Sequence, residues 1–188
     1  MLGIDPNTGS NDIQLSSMRV DVILRQIDQF FDSASTIARV FLHARSATTD
    51  SLGIAFCHGF TDYNGRIIMH NGIIDNAEGY AVDSYRLAGI PDTAAGITEF
   101  LDRRNDRYVN AFIVDTVGGT YTVVRRYTGS LYMDDQGNYS SHAVGDICLP
   151  VPANTVEHFD MLSEFNSYSD VLDAADSIYL KNWGKVFK

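Results

Sequence analysis

His70-Asn71-Gly72 is the stretch of this sequence best equipped for chemistry. It follows the apolar run Arg66 to Met69 and precedes Ile73 and Ile74, so residues 65–76 read as a buried strand running into a polar turn. Two readings of that turn stay open. Glycine accepts φ > 0 and asparagine tolerates the left-handed region, which suits a tight hairpin turn. Alternatively, the Asn71 side-chain amide and the Gly72 N–H point at one spot and stabilise negative charge on a carbonyl oxygen. Two further polar clusters stand where strands end or helices begin: His43-Ala44-Arg45-Ser46-Ala47-Thr48 and Pro91-Asp92-Thr93. On local signals Arg45 is a strand-end residue paired with a surface carboxylate, and Asp92 is a helix N-cap. Cys57 and His58 are adjacent, but neighbours in a strand point to opposite faces, so they do not make a nucleophile and its base.

The elements that must position these clusters follow from periodicity. Leu2 to Ile4 gives a short first strand, followed by a polar loop. Val20, Ile23, Leu24, Ile27, Phe30 and Phe31 recur at three-and-four spacing, which predicts a helix over 20–34. Strands are expected over 37–43 and 52–60, the second leading through the turn Asp62-Tyr63-Asn64-Gly65 into the 65–76 stretch. Helices are expected over 77–88, stopped by Gly89, and from Asp92 to about Leu101 or Arg104. From Tyr108 the pattern turns to strands at 108–115, 120–127 and 131–133. Turns at Gly118-Gly119 and Asp135-Gln136-Gly137-Asn138 separate them as antiparallel hairpins. Pro150 and Pro152 mark a change of direction, after which 156–165 and 170–180 look mixed or helical. The whole order suits one layered α+β domain whose helices cover sheet faces.

Composition bounds the function. A chain of 188 residues, 45% apolar and 20% charged, matches an ordinary soluble globular domain with a proper core. A formal net charge of −10 argues against a nucleic-acid partner, which needs clustered Lys and Arg against phosphates. Cys57 and Cys148 lie far apart and form no metal-type pair, so two buried free thiols are expected, with no metal. No apolar run reaches the roughly 18–20 residues of a membrane span and the N-terminus lacks a signal core, so a cytoplasmic protein without a membrane partner is expected.

Taken in order, the three clusters resemble the sites of class II glutamine amidotransferases. The family carries a His-x-Arg-x-Ala-Thr type segment, then His-Asn-Gly-x-x-x-Asn, then an Asp-Thr pair roughly one helix further on. It opens with Met-Cys-Gly-Ile where this chain has Met1-Leu2-Gly3-Ile4. The resemblance covers residues 1–150 and leaves 151–188 divergent. It implies an N-terminal-nucleophile (Ntn) hydrolase fold, with αββα layers made of two stacked antiparallel sheets between helices. It assigns Asn71 and Gly72 to an oxyanion hole, Arg45 to the α-carboxylate of glutamine, Thr48 to support of that end, and Asp92 to the α-ammonium. A planar guanidinium and a carboxylate match the two ends of a zwitterion. His70 becomes a packing and orienting residue at the substrate, because in this family the base is the α-amine of the nucleophile. No cofactor is implied.

The departures decide what the resemblance means. The family's chemistry needs a cysteine at the mature N-terminus, whose thiolate attacks the glutamine carbonyl. Leu2 stands there, with neither thiol nor hydroxyl, and a large second residue is expected to keep Met1 in place. Thr49 and Asp50 replace the glycine that usually follows the Arg segment, and the first helix runs almost directly into the 37–43 strand. No feature marks Ser10 or Ser16 as a new N-terminal nucleophile. The expectation is therefore a protein without glutaminase activity that binds glutamine or a related amino acid, or serves a protein partner as part of an assembly. The alternative is an active small glutaminase or amidohydrolase, supplying ammonia to a separate partner or processed to a new N-terminal nucleophile.

Overall fold

The computed structural model describes residues 2–4, 11–14, 17, 19–33, 39–43, 59–74, 83–106, 108–127 and 130–160. The chain divides into two compact units, one of residues 1–58, 116–119 and 160–188, the other of residues 59–115 and 120–159. The architecture is mixed α+β with antiparallel sheets. No helix among the described residues is long and apolar enough to cross a membrane.

In the first unit, β1 (Leu2–Ile4) lies between β2 (Asn11–Gln14) and β3 (Arg39–Phe41), antiparallel to both. Leu2 is opposite Gln14 on one side and Phe41 on the other. The predicted first helix is α1 (Val20–Ser33), with Ile27 fully buried on its apolar face. Asp21 in its first turn accepts hydrogen bonds from Arg19, which hold its carboxyl below the usual range.

The second unit is built on a five-stranded sheet ordered β11-β7-β6-β5-β4. These strands are β4 (Phe60–Thr61), β5 (Ile67–Ile73), β6 (Tyr108–Asp115), β7 (Thr120–Arg125) and β11 (Thr155–Asp160). A smaller sheet joins β8 (Tyr132–Met133) to β9 (Tyr139–Ser140) and β10 (Leu149–Pro150). One face of the large sheet is covered by a 3-10 helix (Asp83–Leu87) and by α2 (Ala94–Arg103). Ile68, Val109, Ala111, Ile113 and Val124 from the strands meet Leu87, Ile90, Ile97 and Leu101 there, all at most 3% exposed. Each of the valine, leucine and isoleucine side chains among them contributes roughly 1.5–3 kcal/mol by leaving water.

Two hairpins share one turn design. Asp62 Oδ1 accepts from the backbone N–H of Asn64 and of Arg66, both at 2.9 Å. Asp134 Oδ1 does the same for Gln136 and Asn138, again at 2.9 Å. The glycine three residues on has φ 80° at Gly65 and 78° at Gly137, a region only glycine enters readily.

The structure corrects several expectations. Residues 70–72 are not a turn: β5 runs unbroken through them, each residue opposite one of β6, from Ile67 with Val114 to Ile73 with Tyr108. Of the predicted 77–88 helix, the described part is the short 3-10 segment, its start tied down by Asp83 accepting from the backbone of Ile74 and Ser84. The N-cap of α2 is Thr93, whose hydroxyl accepts from Gly96 N at 3.1 Å, rather than Asp92. Replacing Thr93 by alanine is expected to lower stability by about 1 kcal/mol in urea titration, the usual loss for a cap hydroxyl.

Residues 155–160 form a strand where a mixed or helical segment was expected. Pairing with the free side of β7 decides this: Phe159 stacks on Tyr121 with ring centroids 4.9 Å apart, and Thr122 Oγ1 meets His158 Nδ1 at 2.7 Å. Cys148 is an exposed thiol, not a buried one. Of the strand expected over 52–60, residues 52–58 lie outside the described residues, Cys57 among them, and Phe60 begins β4.

Candidate functional site

Asn71 and Gly72 stand near the end of β5, both exposed, next to the buried His70. Alternation along the strand puts Ile68 and His70 on the face toward the helices, and Asn71 with Ile67 and Met69 on the opposite face. Gly72 has φ +137°, and a Cβ built on it would lie 1.9 Å from the carbonyl oxygen of Tyr108. This glycine serves close approach of two strands, not a change of direction.

His70 Nδ1 lies 2.9 Å from Ser84 Oγ, and Ser84 is fully buried. A serine beside a histidine invites a nucleophile-and-base reading. Burial argues otherwise: with His70 at 3% and Ser84 at 0% exposure, no substrate carbonyl reaches the hydroxyl. The pair ties the 3-10 helix to β5 and adds Ser84, a residue the sequence reading missed.

Asp92 is exposed on the loop entering α2, with its carboxylate on Arg66 Nη1. Arg66 is 4% exposed and organises this end of the unit. Its Nε and Nη2 donate to Asp62 Oδ2 at 3.0 and 2.6 Å, and it also donates to the carbonyls of Ile90 and Pro91. Five residues of extended strand separate Arg66 from Asn71, roughly 16 Å at the usual rise. The structure therefore draws Asp92 to the start of β5 and leaves Asn71 and Gly72 at its end.

Leu2 belongs to the first unit, with its backbone opposite strands on both sides. Arg45 and Thr48 lie outside the described residues. Among the described residues, no group of three His, Cys, Asp or Glu could hold a metal ion.

The face of the sheet that carries Asn71 holds a polar row that the sequence reading also missed. Asn71 is opposite Asn110, and Asn110 is opposite Arg125. The signal was present as an asparagine inside the strand Tyr-Val-Asn-Ala-Phe-Ile-Val-Asp.

Elsewhere in the unit, an open groove of about 600 Å³ runs between α2 and the start of β11, lined by residues including Ala94, Thr98, Glu99, Asp102 and Val156. Among the described residues, none of the predicted site residues lines it. Its carboxylates are paired, Glu99 with Arg103 and Asp102 with Arg126. No family model matches this chain, and no curated protein matches it.

Proposed function

We propose that this chain is a class II glutamine amidotransferase-like protein without glutaminase activity, a binding or assembly component that keeps a site for the carboxamide of glutamine or a related amino acid. The reading takes the finer fold to be the αββα arrangement of Ntn hydrolases, and the location to be cytoplasmic. One observation carries it: Asn71 and Gly72 are exposed together at a strand end, while Leu2 occupies the position of the motif's nucleophile. An amide donor at the site still polarises or holds a carbonyl oxygen, but with no attacking atom there is no tetrahedral intermediate to stabilise. Loss of a nucleophile removes nearly all enzymatic acceleration, leaving on the order of a thousandfold over water in subtilisin. Arg45 is retained in this reading for the α-carboxylate. Asp92 is not, given its attachment to Arg66.

Purified protein incubated with L-glutamine is expected to release no ammonia above background. Calorimetry is expected to show millimolar or tighter glutamine binding, weakened about tenfold by Asn71→Ala, one hydrogen bond's worth of affinity. Ammonia release abolished by Asn71→Ala would instead establish a working glutaminase. The placement of Asp92 favours a second reading, an α+β protein whose Asn71 and Gly72 serve strand packing alone. Absence of any heat with millimolar glutamine would select it.

A further inference from the structure

β11 is the outer strand of the large sheet: β7 pairs with one side of it, and among the described residues no strand pairs with the other. An outer strand presents a row of backbone N–H and C=O groups that a further strand can take up. At six residues β11 is long enough to template one, whereas the opposite outer strand, β4, has two. It contains neither proline nor lysine, two devices that commonly blunt an edge, and carries instead the exposed carboxylate of Glu157. That charge repels an acidic strand and admits a basic one.

The groove between α2 and the start of β11 opens beside this edge. Val156, half-buried against the core, lines it from the sheet, and Ala94, Ala95 and Thr98 line it from the helix. These helix residues are small, and the Thr98 hydroxyl already donates to the Ala94 carbonyl at 2.9 Å, so about 600 Å³ is left for the side chains of an added strand. Glu99 and Asp102 follow on the same helix, their side chains 62% and 53% exposed. Arg126, which faces Asp102, is itself only 2% exposed, and Arg103 is an exposed i,i+4 partner of Glu99 that a competing cation displaces at little cost. Alternation puts Val156 on the face toward α2 and Glu157 on the other. A basic strand laid along the edge therefore meets a carboxylate on either face.

We propose that β11 and its groove take an extended, basic segment of a partner protein as an added strand. Backbone hydrogen bonds to the edge supply affinity, and alternate side chains entering the groove supply selection. A second copy of this chain is the poorer occupant, because each copy carries a formal net charge of −10. The surface shares no residue with Asn71 and Gly72 and stands independently of the carboxamide reading.

Fluorescence anisotropy of the full chain with two labelled peptides, one alternating lysine with valine and one alternating glutamate with valine, tests this. The lysine peptide is expected to bind saturably and at least about tenfold tighter than the glutamate peptide. Methylating its backbone nitrogens keeps the charge but removes the donors, and is expected to weaken binding about tenfold or more. Ala95→Trp fills the groove from an exposed helix position with the charge unchanged, and is expected to cost about tenfold as well. Glu157→Lys is expected to shift the preference at least about tenfold toward the glutamate peptide, which keeps the test decisive should the tryptophan variant fail to fold. Absence of saturable binding, or equal binding of the methylated peptide, overturns the proposal. So does indifference to Glu157→Lys or to a folded Ala95→Trp, since the lysines would then be held by charge elsewhere on an acidic chain. A dimer in light scattering that either variant dissociates gives the edge to a second copy and overturns it too.

Discussion

Gly72→Ala is expected to destabilise the protein by about 4 kcal/mol, the sum of two independent effects of comparable size. The first is conformational: at φ +137° the backbone sits where an L side chain is strained. The second is steric, since the new methyl would lie 1.9 Å from the Tyr108 carbonyl oxygen and 3.2 Å from His70 Nε2. Neither neighbour can yield cheaply. The oxygen belongs to the backbone of β6, opposite the end of β5, and His70 is held by Ser84. Urea denaturation measures the loss, and a variant within 1 kcal/mol of the wild type would show that the strands separate easily at this point. The same reasoning limits what Gly72 can reveal about binding: loss of ligand affinity in this variant would report a damaged sheet, so Asn71→Ala is the cleaner probe.

Arg66→Met is expected to lower stability by about 3–5 kcal/mol, the typical result of removing one partner from a buried ion pair. Methionine fills much of the volume but leaves the Asp62 carboxylate, whose side chain is 0% exposed, without its counter-charge. The carbonyls of Ile90 and Pro91 lose their donor in the same step. Asp92→Ala provides the contrast. Its carboxylate meets the same guanidinium but is 77% exposed, so a change of at most about 1 kcal/mol is expected. Thermal or urea melts of the two variants separate the share of Asp92 from that of the guanidinium as a whole. Equal losses would mean that the pair with Asp92 accounts for all that Arg66 contributes.

How much of this was legible in the sequence depends on the range of the interactions. The helix at 20–33 follows from its own apolar spacing, and the hairpins around Gly65, Gly119 and Gly137 follow from glycines placed where φ must be positive. Asn71-Gly72 misled for a physical reason. A glycine chosen because another backbone passes close by is locally indistinguishable from one chosen to reverse the chain, and the Tyr108 carbonyl that decides between them is distant in sequence. The choice between Asp92 and Thr93 as cap was open in the same way. Arg66 settles it by holding Asp92 elsewhere, and Arg66 itself was read as the start of an apolar run. At the candidate site, Asn71 was legible as a polar residue at a strand end. Its partner Asn110 was not, because residues brought opposite one another by strand register carry no local signature.

The paired aspartate turns have a kinetic consequence. In each, the carboxylate and the backbone it serves lie within four residues, so closing the loop needs almost no search. The β4–β5 and β8–β9 hairpins are thus expected to form on the microsecond scale of isolated hairpins. Joining β5 to β6 must instead bring Ile67 to Val114, with the 3-10 helix and α2 lying between them in the chain. The slow step in assembling the large sheet is then the meeting of β5 with β6, and the edge where they meet is the one that carries Asn71, Gly72 and Asn110.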